Sequence, residues 1–147
     1  MSEKVTFISG TTMPNQFMLA PLTNMQSYDD GTLTDDEYHW LTMRAKGGFG
    51  LTMTCAAFAE KSGKGFEGQL GAVGDAHFDG LQRMAAGIKQ YDSLAYTQIV
   101  HGGMRTFEKF TGQQPVCPSG DSETGARAMT MDEIKATEEA FVNAAVL

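Results

Sequence analysis

Positive charge is scarce in this chain. Eleven Lys and Arg stand against 18 Asp and Glu, a formal net charge of −7 over 147 residues. Nucleic acid binding needs a concentrated basic face to neutralise phosphates, so nucleic acid is excluded as a main partner. Long apolar runs are missing as well, and a bilayer span needs about 20 apolar residues in succession. The opening Met1-Ser2-Glu3-Lys4 carries no apolar signal-peptide core. A cytoplasmic protein without membrane contact is expected. Cysteine is reduced to Cys55 and Cys117, whose spacing fits neither a CxxC motif nor a zinc ribbon. Without a secretion signal, free thiols are expected rather than a disulfide. His39, His77 and His101 stand far apart and match no metal-ligand spacing, so no metal is expected. What is present is ordinary globular material: 41% hydrophobic residues and 17 glycines, a balance that excludes intrinsic disorder. The length suits one domain or a piece of one.

Periodicity and punctuation predict a β-α-β-α-β-α order. Phe17-Met18-Leu19-Ala20, stopped by Pro21, reads as a short strand buried on both faces. Thr34-Asp35-Asp36-Glu37 reads as a capping box, in which the threonine caps the helix and the glutamate reaches back. Tyr38, Leu41 and Ala45 continue that helix to Gly47-Gly48. A second strand is expected over Phe49 to Phe58, then a glycine-rich loop to about Asp75. Phe78, Leu81, Ala85 and Ile88 mark a second helix. A turn at Tyr91-Asp92-Ser93 leads to a third strand, Leu94 to Val100. A long irregular stretch, His101 to Met129, closes on a second capping box, Thr130 to Glu133, and a helix carrying Ile134, Phe141 and Ala145.

This alternation predicts a parallel sheet with right-handed crossovers. Helix-to-strand connections are expected to be two or three residues long and strand-to-helix connections long. Long loops then gather at the C-terminal ends of the strands, where α/β folds keep their sites. Three such units do not close a (β/α)8 barrel, which takes about 250 residues, and an open sheet leaves unpaired edges. We therefore expect the front part of something larger.

Two sets of residues compete as functional motifs. Gly63-Lys64-Gly65-Phe66-Glu67-Gly68 matches G-x-G-x-x-G, but a dinucleotide fold needs that run to close a strand and open a helix. Here the strand ends earlier and glycines continue, so a flexible loop is expected. Thr23, Gln98 and His101 stand at strand ends on one face, and Cys55-Ala56-Ala57 supplies small residues between them. Small residues under a ring and an amide at its edge suit a planar heterocycle.

These residues lie in four segments that, taken in order over nearly the whole chain, resemble the Old Yellow Enzyme family of FMN-dependent oxidoreductases. Asn15 to Thr23 resembles the family's opening strand and first flavin loop, and Gly50 to Ala57 its second strand. Gln98 to Gly103 resembles its Q-L-x-H-x-G-R segment. Val116-Cys117-Pro118-Ser119, with Met129 to Ile134, resembles its A-P-S loop and following helix. The resemblance implies that residues 1–147 are the N-terminal portion of one FMN-binding (β/α)8 barrel domain, incomplete within the chain, with NADH or NADPH as reductant. It places Ala20, Pro21 and Leu22 against the isoalloxazine ring. It gives Thr23 a hydrogen bond near N5/O4, Ala56 a backbone contact, and Gln98 an amide contact to the pyrimidine edge. Two positions depart from the family pattern: Gln16 and Met104 stand where the family has arginine, with Arg105 one residue later. The family's substrate-holding pair, its proton-donating tyrosine and its phosphate clamp lie in later strands, so no catalytic residue is assigned here.

The expected function is electron transfer from a nicotinamide through FMN to a small electron-poor acceptor, such as an α,β-unsaturated carbonyl compound. Expected partners are that substrate and the rest of the barrel, with a homo-oligomer left open. The rival reading is an inactive interaction module that pairs its open sheet edge with another chain. A nucleotide-binding reading rests on the glycine run alone.

Overall fold

A computed structural model describes residues 3–147. An N-terminal hairpin, which periodicity did not reveal, pairs β1 (Val5–Thr6) with β2 (Thr12–Met13) in antiparallel register. The central element is a three-stranded parallel sheet of β3 (Met18–Leu19), β4 (Leu51–Phe58) and β5 (Leu94–Val100), in that order. Met18 sits opposite Leu51, and Leu51 opposite Leu94. Helices α1 (Asp35–Lys46), α2 (Asp75–Lys89) and, after several short intervening elements, a long C-terminal helix complete the βα rhythm.

The third strand has the bounds expected. The first is shorter and not buried: Phe17 is 59% and Met18 49% exposed. Only β4 flanks it here, so its outer side has nothing to bury against. The middle strand starts two residues later than expected and is covered on both faces, which is why Thr52 and Thr54 are buried beside Leu51 and Cys55. Helix-to-strand connections span 47–50 and 90–93, slightly longer than expected, with Asp92 in the left-handed region at φ 59°. The strand-to-helix loops span 20–34, 59–74 and 101–130, all on the C-terminal side of the sheet. The last of these is less irregular than its composition suggested. It holds the short helix α3 (Glu108–Thr111) and two parallel strands, β6 (Val116–Cys117) and β7 (Arg127–Ala128). The final helix, α4, runs over Met131–Val146.

The core lies between α1, α2 and the sheet. Leu41 and Ala45 meet Met84 and Ile88, with Leu19 and Ala95 beneath. Side chains of this size contribute about 1.5–3 kcal/mol each when fully buried. A Cβ at Gly87 would meet the Tyr38 ring at 2.6 Å, so the two helices approach closely there. A second cluster joins Cys55 and Ala57 of β4 to Leu70 and Ala72 of the following loop. The expected stripe on α2 is only half right: Ile88 is fully buried, but Phe78 is 39% exposed. Phe78, Leu81 and Ala85 turn toward β5 and α4. There they line a groove of about 550 Å³ with Tyr96, Ile99 and Ala144. No residue of α4 is fully buried.

Candidate functional site

Three strand ends and their loops build the site. Ala56 on β4 is directly opposite Gln98 on β5, so a small residue and an amide stand side by side. Gln98 is exposed, whereas Ala57 and Cys55 are buried behind it. β3 ends at Leu19 opposite Thr52, and Ala20, Pro21, Leu22 and Thr23 follow, half-buried or exposed, on the same end of the sheet. Met25 then takes a left-handed backbone, φ 54°, which only a constrained loop imposes on a non-glycine residue. Both side-chain atoms of Asn24 and the Oε1 of Gln26 are buried with no hydrogen-bond partner among the described residues. Buried polar atoms of that kind are uncommon in completed folds.

The loop carrying Thr23 is anchored by a cluster that the capping-box pattern concealed. Thr34 caps α1 as expected, accepting the Glu37 N–H at 3.2 Å and donating to the Gln26 carbonyl. Glu37, however, does not reach back. It is fully buried on the same helix face as Leu41 and Ala45, where its carboxyl accepts from Ser27 Oγ and from Cys55 Sγ. Burial first, then the neighbouring Glu37, push the Cys55 thiol far above its usual range, so it stays a proton donor. Cys55 and Cys117 are both buried free thiols.

His101, expected at the same strand ends, is engaged by its own neighbours. Its Nδ1 accepts the Gly103 N–H at 2.9 Å, which leaves Nε2 toward Glu60 at 3.1 Å and Ser62 at 3.3 Å. Burial lowers its pKa, and Glu60 only partly offsets this. Glu60 also accepts from Thr137 of α4 at 2.7 Å. The histidine thus ties β5 to the loop after β4 and, through Glu60, to α4. His77, likewise, faces the backbone carbonyls of Val73 and Asp30. No group of three or more candidate metal ligands gathers among the described residues. No helix among them is long and apolar enough to cross a membrane.

The glycine run is tied down by hydrogen bonds at Gly63, Lys64, Gly65 and Gly68, and it opens no helix. Lys64 is buried, donating to the Asp29 carbonyl at 2.6 Å. Gln69, which sequence reasoning passed over, is buried and bonds Ala56 from behind. Beside it Phe58, Val73 and Phe110 wall a cavity of about 460 Å³, with Lys61 and Lys64 also lining it. Those residues come from separate loops, and no local pattern joins them.

A parallel βα sheet with its long loops gathered at the C-terminal strand ends defines an α/β protein of the class that keeps its site on that face. The family model described as NADH:flavin oxidoreductase / NADH oxidase matches residues 5–147, and the chain belongs to that family. FMN and a nicotinamide nucleotide are the cofactors of this family. A probable NADH-dependent flavin oxidoreductase, YqiG, of Bacillus subtilis is 34% identical over 95% of this chain and 38% of its own length. An NADH:acrylate oxidoreductase of Vibrio harveyi is 31% identical over 99% of this chain and 15% of its own. Among solved structures, a 2-naphthoyl-CoA reductase complex superposes with TM-score 0.91 at 27% identity, covering 97% of this chain and 24% of that one. An Old Yellow Enzyme homologue from Zymomonas mobilis shares the fold at TM-score 0.87 and 24% identity, over 97% of this chain and 43% of that one. The chain therefore spans less than half the length of each of these proteins.

Proposed function

We propose that residues 1–147 form the first three βα units of an FMN-binding (β/α)8 barrel. In this reading the whole protein passes reducing equivalents from NADH or NADPH to a small electron-poor acceptor of the α,β-unsaturated carbonyl class. The observation that carries the reading is the Ala56–Gln98 pair at the strand ends, in a chain of the flavin family. β3 ends at Leu19 opposite Thr52, so the loop that carries Thr23 leaves the same end of the sheet as Ala56 and Gln98, which supports one wall made by all three. The similarity to NADH:acrylate and NADH:fumarate oxidoreductases supports the acceptor class, since acrylate and fumarate are activated alkenes.

Bound FMN supplies hydride transfer between the nicotinamide and the acceptor. The chain's own residues bind and orient it. Ala20, Pro21 and Leu22 offer backbone and small or apolar surface to the ring. Thr23 supplies a hydroxyl donor at its N5/O4 edge. Ala56 contributes backbone, with no side chain large enough to hold a flat ring away. Gln98 presents an amide that both donates and accepts, matching a pyrimidine edge. Neutral hydrogen bonds of this kind contribute only about 0.5–1.5 kcal/mol each. The phosphate grip and the proton donor belong to later strands, so the 147-residue chain alone is expected to bind FMN weakly and not to turn over.

The test is FMN titration of the chain alone and with the remaining barrel segments supplied. Recovery of visible flavin absorbance and activity only in the second case is expected; micromolar or tighter binding by the chain alone would show that the phosphate site or the domain limits are misplaced. In the complete protein, Thr23→Ala is expected to lower the flavin potential. The lost bond to the reduced, charged ring is worth about 1.5–3 kcal/mol. An unchanged potential would remove Thr23 from the site.

The apolar groove beside Tyr96 favours a second reading, in which the chain is an inactive module that pairs its edge with another protein. Size-exclusion chromatography separates the two: a stable, soluble monomer counts against the module.

A further inference from the structure

The Gly63–Gly68 run has no part in the reading above, yet its loop touches all three strand ends. Toward the loop after β3, the Gly68 carbonyl accepts the Ser27 N–H at 3.0 Å. Gly68 sits at φ 65°, so close to Met25 that a Cβ would meet its carbonyl oxygen at 2.6 Å. Toward β5, the Gly63 carbonyl accepts the Gly102 N–H at 2.9 Å. Toward β4 the contact is made by Gln69, only 1% exposed. Its Oε1 accepts the Gly65 N–H at 2.7 Å, and its Nε2 donates to the Ala56 carbonyl at 2.8 Å.

The Ala56 contact falls at a sensitive place. The β4–β5 register is irregular between Met53 and Ala56, and ladder pairing resumes with Ala56 opposite Gln98. A strand irregularity re-aims the residues beside it unless something fixes them. Gln69 does so from a buried position, with both ends of its amide engaged, so it cannot rotate without breaking a bond. The close approaches at Gly68 and Gly63 leave no room for a side chain, which explains those two glycines without a phosphate.

We propose that this glycine-rich loop is a clip that sets the flavin wall, with Gln69 as a positioning residue that holds the Ala56 peptide level with Gln98 and in fixed relation to the Thr23 loop. The proposal rests on the FMN reading.

The experiment uses the flavin-loaded protein with all barrel segments present. Gln69→Glu keeps the acceptor for Gly65 and loses the donor to Ala56; Gln69→Leu loses both. Each is expected to weaken FMN binding by about tenfold, the worth of one misplaced hydrogen bond, to shift the flavin midpoint potential and to alter the visible flavin spectrum. Thr130→Ala, which removes the cap of α4 without touching this loop or Ala56, is expected to lower the melting temperature and leave potential and spectrum unchanged. Gly68→Ala strains the clip at its other end and should give the Gln69 signature at smaller amplitude, which keeps the test open if the Gln69 variants do not fold. Variants that lose stability but keep the affinity, potential and spectrum of the unmutated protein overturn the clip alone. An unmutated protein that takes up no flavin overturns the FMN reading and the clip with it.

Discussion

The two long helices that open on threonine begin with the same four-residue pattern and use it differently. At α4, Thr130 accepts the Glu133 N–H and Glu133 reaches back to the Thr130 N–H at 2.8 Å, a complete capping box. Arg127 adds a two-pronged contact to the same carboxyl. At α1, Thr34 caps as it should, but Glu37 turns inward and is spent on Ser27 and Cys55. The difference lies in what covers the helix. Glu133 lies on a helix with no fully buried residue, where water and Arg127 are the competitors. Glu37 lies in line with Leu41 and Ala45 against the sheet, where an unpaired hydroxyl and thiol would be costly. One motif therefore fastens a helix end in one place and joins a site loop to a strand in the other.

This contrast can be broken by mutation. The largest effect is expected from Glu37→Ala. It strands two buried donors and leaves a cavity, a loss of about 3 kcal/mol that a urea midpoint will report. If the loss is no greater than for Glu133→Ala, the inward glutamate is not structural. Smaller, and sharper as a comparison, is the threonine pair. Thr130→Ala removes a cap worth about 1 kcal/mol. Thr34→Ala removes a cap and the bond to the Gln26 carbonyl, and is expected to cost about twice as much. Equal losses would mean that the Gln26 bond contributes nothing.

The smallest effect is a dependence on pH at α4. Arg127, and then the Thr130 backbone, hold the Glu133 carboxyl down to about 2, against 4.5 ordinarily. A depressed carboxyl stabilises the fold above its unfolded value, and that contribution is lost as pH falls from about 4.5 toward about 2. Amide exchange in the first turn of α4 should therefore accelerate over that window. Glu133→Gln should abolish the step; an identical acid profile in the variant would assign it to another group. His101 acts in a higher window with the opposite charge. Its lowered pKa means that stability falls as pH drops below about 6.5.

The legible features were those whose cause is local. The caps at Thr34 and Thr130, the stop at Gly47-Gly48 and the bounds of β5 each arise within a few residues of sequence. The family was legible because its segments are short and ordered along the chain, and the match over residues 5–147 bears it out. His101 illustrates the opposite case. Its place at a strand end was legible, but its partners Glu60 and Ser62 lie far away in sequence. The exposure of Met18 could not be read either, because an apolar strand is buried only if both neighbouring strands are present.

Helix and strand order, the two caps and the gathering of long loops on one face follow from side-chain spacing and backbone punctuation, which act over one or two turns. The inward use of Glu37, the grip of Gln69 on Ala56 and the bond from Thr137 to Glu60 across 77 residues were settled only when the layers packed. The physical reason is desolvation. A buried polar group takes whichever partner the tertiary structure brings near, and the sequence around it does not say which that will be.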